Sequence, residues 1–191
     1  TFMTPSDIRD YVKVYNNFLS KGFCKSIVEK IKDSNWQTHN FSNYKNKITQ
    51  HKNELLISYD KNKLKQELQD NLWYEIEKYI GKDFKKFDGW FNGWNGYTEV
   101  RFNKYDKTTE MKEHCDHIHT MFDGTIKGIP TLSIVGCLNE DYEGGEFIMW
   151  QTEKIEIPEG AVLIFPSNFM YPHKVNPVTK GTRYSYVSWV Y

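Results

Sequence analysis

Cysteine is scarce in this chain, and the scarcity narrows the field at once. Cys24, Cys115 and Cys137 are an odd number with no metal-type spacing, which indicates neither a disulfide framework nor a zinc knuckle. A reducing, cytoplasmic compartment fits that usage. No run approaches the ~20 apolar residues that a membrane span requires, and no N-terminal apolar stretch resembles a secretion signal. Without such a signal, the sequon Asn40-Phe41-Ser42 carries little meaning. Net charge is missing as well. The 25 basic residues balance 25 acidic ones, so no general pull toward nucleic acid is expected. Lys45, Lys47, Lys52, Lys61, Lys63 and Lys65 crowd one region and read as a solvated face. Internal repeats and low-complexity tracts are absent, and 191 residues suffice for one domain with a substantial core.

What is present is periodicity. Residues 10 to 18 alternate loosely and predict an entry strand. Ser20 is placed to cap a helix whose Phe23, Cys24, Ile27, Val28 and Ile31 share one face. Residues 34 to 59 are polar and mixed, with a short strand expected at Leu55-Leu56-Ile57. From Lys61 to Ile80, Leu64, Leu68, Leu72, Ile76 and Ile80 recur at helical spacing. They predict a long amphipathic helix packed on a sheet and ended by Gly81. Between 84 and 97, Trp90, Phe91, Trp94 and Tyr97 interleave with glycines. A hairpin or loop beside a barrel mouth suits this texture, with an aromatic-rich edge strand as the plainer reading and a platform for a peptide substrate as the sharper one.

Short strands then follow at about 98–104, 112–116, 130–138, 145–150, 154–157, 161–165, 172–177 and 182–190, separated by Gly, Pro and Asn. This punctuation predicts a mainly β fold, a double-stranded β-helix (jelly roll) packed against N-terminal helices. The expected organisation is a single domain over 1–191, with support over 1–97 and a catalytic core over 98–191.

Chemistry concentrates in His114-Cys115-Asp116, a lone His173, and Arg183 ten positions later. On a strand, residues i and i+2 share a face, so His114 and Asp116 can reach one ion while Cys115 turns away into packing. A third ligand must come from another strand, and His173 sits where a late one begins. Two imidazoles and one carboxylate leave open positions on a metal, the arrangement of non-heme Fe(II) oxygenases, so oxidative chemistry with O2 is expected. Arg183 and Ser185 share a face of the last strand. An arginine inside an otherwise apolar strand needs an anionic partner, and its planar fork suits a carboxylate. His117 and His119 are rival ligands, assigned to a lid-like segment from 117 to 128. Gly144-Gly145 reads as a tight turn.

The ordered stretches Val100-Arg101-Phe102, Met111-Lys112-Glu113-His114-Cys115-Asp116, Leu138-Asn139, Gly144-Gly145-Glu146-Phe147, Gly160 to Pro166, Pro172-His173-Lys174-Val175 and Gly181-Thr182-Arg183-Tyr184 resemble the 2-oxoglutarate/Fe(II)-dependent dioxygenases. The prolyl 4-hydroxylase branch is the most similar. The resemblance spans residues 98 to 191. It implies Fe(II) held by His114, Asp116 and His173, with 2-oxoglutarate bound through its far carboxylate by Arg183, assisted by Ser185. O2 is the further substrate, and ascorbate belongs to the same implied set. Oxidative decarboxylation to succinate and CO2 would drive hydroxylation of an unactivated C–H bond.

The chain departs from the branch at the cosubstrate tyrosine before His-x-Asp. Phe102 is the nearest equivalent and Tyr105 an offset candidate, while Cys137 replaces a second such tyrosine. Ser133 and Trp189 line the cosubstrate pocket by resemblance, although core packing explains both. The implied target is a prolyl residue in a peptide or protein, facing loops 90–97, 104–110 and 117–127. The alternatives are the same chemistry on a free amino acid or other small molecule, and a non-catalytic jelly-roll binding module. Nucleic-acid demethylation of the AlkB type is disfavoured, because Trp189 stands where that group usually has a second arginine. Oligomeric state is not readable from the sequence.

Overall fold

The computed structural model describes residues 5–42, 45, 47–60, 63–91, 95–116, 122, 123 and 125–191. Lys61, Trp94, His117 and His119, singled out above, lie outside the described residues. The N-terminal half supplies strands β1 (Lys13–Tyr15), β2 (Gln37–Thr38) and β3 (Leu56–Ser58) and helices α1 (Lys21–Ile31) and α2 (Lys63–Glu77). The rest supplies β4 (Arg101–Tyr105), β5 (Met111–His114), β6 (Leu132–Cys137), β7 (Phe147–Met149), β8 (Glu153–Ile155), β9 (Val162–Pro166), β10 (His173–Val175) and β11 (Arg183–Val190). A seven-stranded sheet runs β1-β9-β6-β11-β4-β3-β2, and a four-stranded sheet runs β8-β7-β10-β5. Their pairings are antiparallel throughout, and the two sheets make the expected double-stranded β-helix.

Alternation along the strands sorts side chains into two cores. On β6, Leu132 and Ile134 face the helices, while Ser133 and Val135 face the space between the sheets; on β9, Val162 and Ile164 oppose Leu163 and Phe165 in the same way. The first core receives Cys24, Ile27 and Ile31 from α1 and Leu68, Leu72 and Ile76 from α2. Each fully buried aliphatic side chain contributes roughly 1.5–3 kcal/mol, so this layer anchors the large sheet. Ser20 caps α1 as expected, its hydroxyl accepting from the Phe23 amide at 3.1 Å.

Three expectations need correction. The entry strand shrinks to Lys13–Tyr15, because Ile8–Tyr11 forms a 3-10 turn with a capping box from Asp7 and Asn17 adopts a left-handed φ of 57°. Gly81 does not end the second helix, which continues as a π turn over Lys78–Asp83 until the Phe84 amide closes on the Tyr79 carbonyl. Packing overrides the glycine there: Tyr79 and Ile80 are buried, and Tyr15 donates to Asp83 at 2.6 Å. The third correction concerns the aromatic segment. Lys85–Trp90 is a 3-10 turn, strand-like pairing among the described residues is confined to an isolated antiparallel bridge between Tyr97 and Val190, and Phe91 and Tyr97 pack on the helix-side core instead of the mouth.

Candidate active site

β5 and β10 are neighbours in the small sheet, and His114 is directly opposite His173, with ring centroids 4.4 Å apart. Each imidazole uses Nδ1 to bond a main-chain carbonyl two residues upstream: His114 to Lys112 at 2.8 Å, His173 to Tyr171 at 3.0 Å. A carbonyl only accepts, so Nδ1 carries the proton and the Nε2 lone pair is free. Both Nε2 atoms point toward Asp116 Oδ1, at 3.2 Å from His114 and 3.6 Å from His173. Ligand atoms of these three residues all lie within 4.8 Å of one another, a set that can hold a metal ion. Convergent lone pairs repel unless a cation sits among them, and the donor set suits Fe(II) with open positions.

Asp116 reaches this place differently from the expectation. β5 ends at His114, and Asp116 occupies the turn beyond it. Shared strand faces therefore do not align the carboxylate. Two donors do so instead: Ser133 Oγ at 2.7 Å and Trp189 Nε1 at 2.9 Å, both to Oδ2. Cys115 turns away as expected, its thiol donating to the Phe169 carbonyl. Burial alone raises the Asp116 carboxyl, but the neighbouring His173 and His114 rings and the hydrogen bond from Trp189 hold it well below the usual carboxylate range. Burial pushes His173 down to about 4, against the pull of Asp116. Both residues are thus held in the forms that bind a metal.

The other end of the cavity is built on β11 and β4. Arg183 is 2% exposed, donates from Nη1 to Ser185 Oγ at 3.2 Å, and lies 5.0 Å from the centre of the Tyr105 ring. Its Nε has no hydrogen-bond partner, and among the described residues no carboxylate pairs with it. A buried guanidinium in that state fits a carboxylate ligand. Gly145, at a left-handed φ of 66°, lets the preceding turn approach: an added Cβ would stand 3.1 Å from Arg183 Cδ.

Register separates the two candidate positions for the cosubstrate tyrosine. Phe102 points into the helix-side core, whereas Tyr105 faces the cavity opposite Arg183. Sequence reading missed Tyr142, whose phenol hydrogen-bonds with Arg183 and lies 3.9 Å from Cys137 Sγ. It comes from a loop, where no periodicity marks it. The loop is pinned by Asn139, which donates to the Thr182 carbonyl at 2.8 Å and accepts from the Tyr184 amide at 2.8 Å.

A jelly roll with two histidines and one carboxylate at its mouth, and an unpaired arginine deeper in, defines the class of a mononuclear metal oxygenase fold. Residues 100–191 match the model described as "2OG-Fe(II) oxygenase superfamily", and this match together with a prolyl 4-hydroxylase-like fold supports a 2-oxoglutarate/Fe(II) oxygenase. Among relatives, a PKHD-type hydroxylase of Janthinobacterium sp. (strain Marseille) is 30% identical over 107 residues, covering 49% of this chain and 43% of that protein. One from Synechococcus sp. (strain JA-2-3B'a(2-13)) is 43% identical over 54 residues, covering 27% and 23%. The chain thus spans less than half the length of these relatives. Among solved structures, a Pseudomonas putida prolyl-4-hydroxylase superposes with a TM-score of 0.65 at 15% identity, covering 94% of this chain and 91% of that one. A prolyl hydroxylase from Trichoplax adhaerens, in complex with a hypoxia inducible factor peptide fragment, gives 0.70 at 16% identity, covering 95% and 84%. No helix among the described residues is long and apolar enough to cross a membrane.

Proposed function

We propose that the protein is a 2-oxoglutarate- and Fe(II)-dependent dioxygenase that hydroxylates an unactivated C–H bond, in a prolyl residue of a peptide or protein, with release of succinate and CO2. The observation that carries this reading is the pairing, in one cavity, of three convergent ligand atoms with a buried guanidinium that lacks an anion. His114, Asp116 and His173 would hold the iron. Fe(II), when bound there, would supply the O2 chemistry, with 2-oxoglutarate as the co-reductant.

The chain's own residues bind and orient. Arg183, with Ser185 and Tyr142 beside it, takes the far carboxylate of the cosubstrate, and Tyr105 packs along it. Ser133 and Trp189 fix the metal-binding carboxylate. Val135, Phe147 and Val187 form apolar walls that keep water from the reacting atoms. In this reading residues 98–191 are the catalytic core and 1–97 its support.

The prolyl target is supported by the structural neighbours, a prolyl-4-hydroxylase and a prolyl hydroxylase in complex with a peptide fragment. The test is a succinate assay with Fe(II), 2-oxoglutarate and ascorbate, joined to mass spectrometry of proline-containing peptides. Succinate release together with a gain of one oxygen on proline is the expected result. Iron-loaded protein that consumes no 2-oxoglutarate with any peptide, amino acid or small acid would overturn the reading in favour of a binding module.

A further inference from the structure

The cavity holds a second guanidinium. Along the pairing of β4 with β11, Arg101 is opposite Val187, Asn103 opposite Ser185 and Tyr105 opposite Arg183. These side chains line the same cavity as the metal-binding triad. Arg101 is only 7% exposed. Among the described residues its one side-chain hydrogen bond runs from Nε to Asn103 Oδ1 at 3.1 Å, and no carboxylate lies within ion-pair distance. Glu54, a buried carboxylate of the same neighbourhood, contacts His39 Nδ1 through Oε1 at 3.4 Å and lies beyond ion-pair distance of Arg101. A cation desolvated in this way is costly unless an anion meets it.

The place of Arg101 separates it from the cosubstrate's far carboxylate. Tyr105, the neighbour of Arg183, is four residues along β4 from Arg101, a distance of about 13 Å at the rise of a strand. A five-carbon diacid held by Arg183 at one end and by the metal at the other has both of its carboxylates engaged. Arg101 stands instead at the metal end. Its guanidinium carbon is 5.3 Å from the centre of the Trp189 ring, and that indole donates to Asp116. Stacking on the indole and the bond to Asn103 hold the planar fork in one orientation, and the fork matches a carboxylate through two parallel hydrogen bonds. The molecule being oxidised must lie at this end.

We infer that Arg101 anchors a carboxylate carried by the substrate itself. The inference rests on the oxygenase reading and narrows its substrate class to molecules with a carboxylate close to the oxidised carbon. That carboxylate is either the free acid of a terminal or unlinked proline or an acidic side chain next to a prolyl residue.

Two probe pairs distinguish these sources: acetyl-proline against acetyl-prolinamide, and acetyl-prolyl-glutamate amide against acetyl-prolyl-glutamine amide. Each is titrated calorimetrically into the wild type, Arg101→Met and Arg101→Lys in the presence of 2-oxoglutarate, and each is assayed separately with iron for 2-oxoglutarate consumption. In the wild type, the charged member of one pair binds about tenfold or more tightly than its neutral partner, as expected for a charge-assisted contact. Arg101→Met abolishes the preference, Arg101→Lys restores part of it, and the KM for 2-oxoglutarate is unchanged in both. Equal binding of charged and neutral probes, failure of every probe to bind, or a raised KM for 2-oxoglutarate overturns the inference. Arg101→Lys keeps the test alive should Arg101→Met not fold. An Arg101-dependent preference without 2-oxoglutarate consumption sinks the oxygenase reading and keeps the anchor, whereas turnover indifferent to Arg101 does the reverse.

Discussion

Ser133 and Trp189 stand opposite one another on neighbouring strands and donate to the same oxygen of Asp116. Their shared acceptor is Oδ2, so Oδ1 is the oxygen left facing the imidazoles. Donors of this kind typically tune metal affinity by about 10- to 100-fold. Ser133→Ala and Trp189→Phe should each weaken metal binding by about tenfold while leaving the fold intact. Titration with Mn(II) or Co(II), alongside circular dichroism, checks this. Unchanged affinity in both variants would show that something else positions the carboxylate.

Removing a ligand outright should be more severe. Asp116→Ala or His173→Ala is expected to abolish stoichiometric metal retention and turnover together. Metal analysis after gel filtration separates this outcome from a simple loss of substrate binding.

Arg183→Ala should act on the cosubstrate. Losing a charged hydrogen-bonding group of this type costs roughly 1.5–3 kcal/mol, or about 10- to 100-fold. The loss should appear chiefly as a higher KM for 2-oxoglutarate, with Tyr142→Phe giving a smaller rise in the same direction. Steady-state kinetics with 2-oxoglutarate as the varied substrate reads both. An unaltered KM in Arg183→Ala would remove the cosubstrate assignment.

His39 offers a pH-dependent prediction. Burial pushes this ring below its ordinary value of 6.5, against a hydrogen bond to Glu54 that favours the charged form. As pH falls, the unfolded chain therefore takes up this proton before the folded one does. Stability is complete above the unfolded value and is lost progressively as pH drops below it. Urea midpoints compared between about pH 7.5 and about pH 5.5 should fall less in His39→Gln than in the wild type. Equal falls would mean that this ring titrates normally.

The large sheet contains a close fit with one flaw. Gly136 is opposite Tyr186, and a Cβ on it would overlap the phenol ring. Gly136→Ala should therefore destabilise by about 1–3 kcal/mol, the usual cost of overpacking. The Tyr186 hydroxyl is buried with no hydrogen-bond partner. Tyr186→Phe removes that cost and should be neutral or stabilising by about 1 kcal/mol. Urea unfolding at neutral pH tests the opposite signs directly.

Strand positions after residue 100 were legible because alternation and turn residues act locally, and His114, His173 and Arg183 were legible because each stands at a strand position with a marked neighbour. Asp116 lies beside His114, though not through a shared strand face. Its placement depends on Ser133 and Trp189, 17 and 73 residues away, and such distant donors leave no local pattern. Tyr142 was invisible for a related reason: a loop side chain has no period, and its position follows from the bonds of Asn139. The reading of Gly81 failed because burial of Tyr79 and Ile80 outweighs a glycine's weak preference to end a helix.

The final strand divides its labour by parity. Arg183, Ser185, Val187 and Trp189 look into the cavity, whereas Tyr184, Tyr186 and Val190 look toward the helices. Randomising the odd positions would thus explore what the molecule acts upon, and randomising the even ones only how durable it is. A one-residue slip of the strand would exchange the two sets at a stroke, sending the Arg183 guanidinium into the greasy layer and phenols into the reaction chamber.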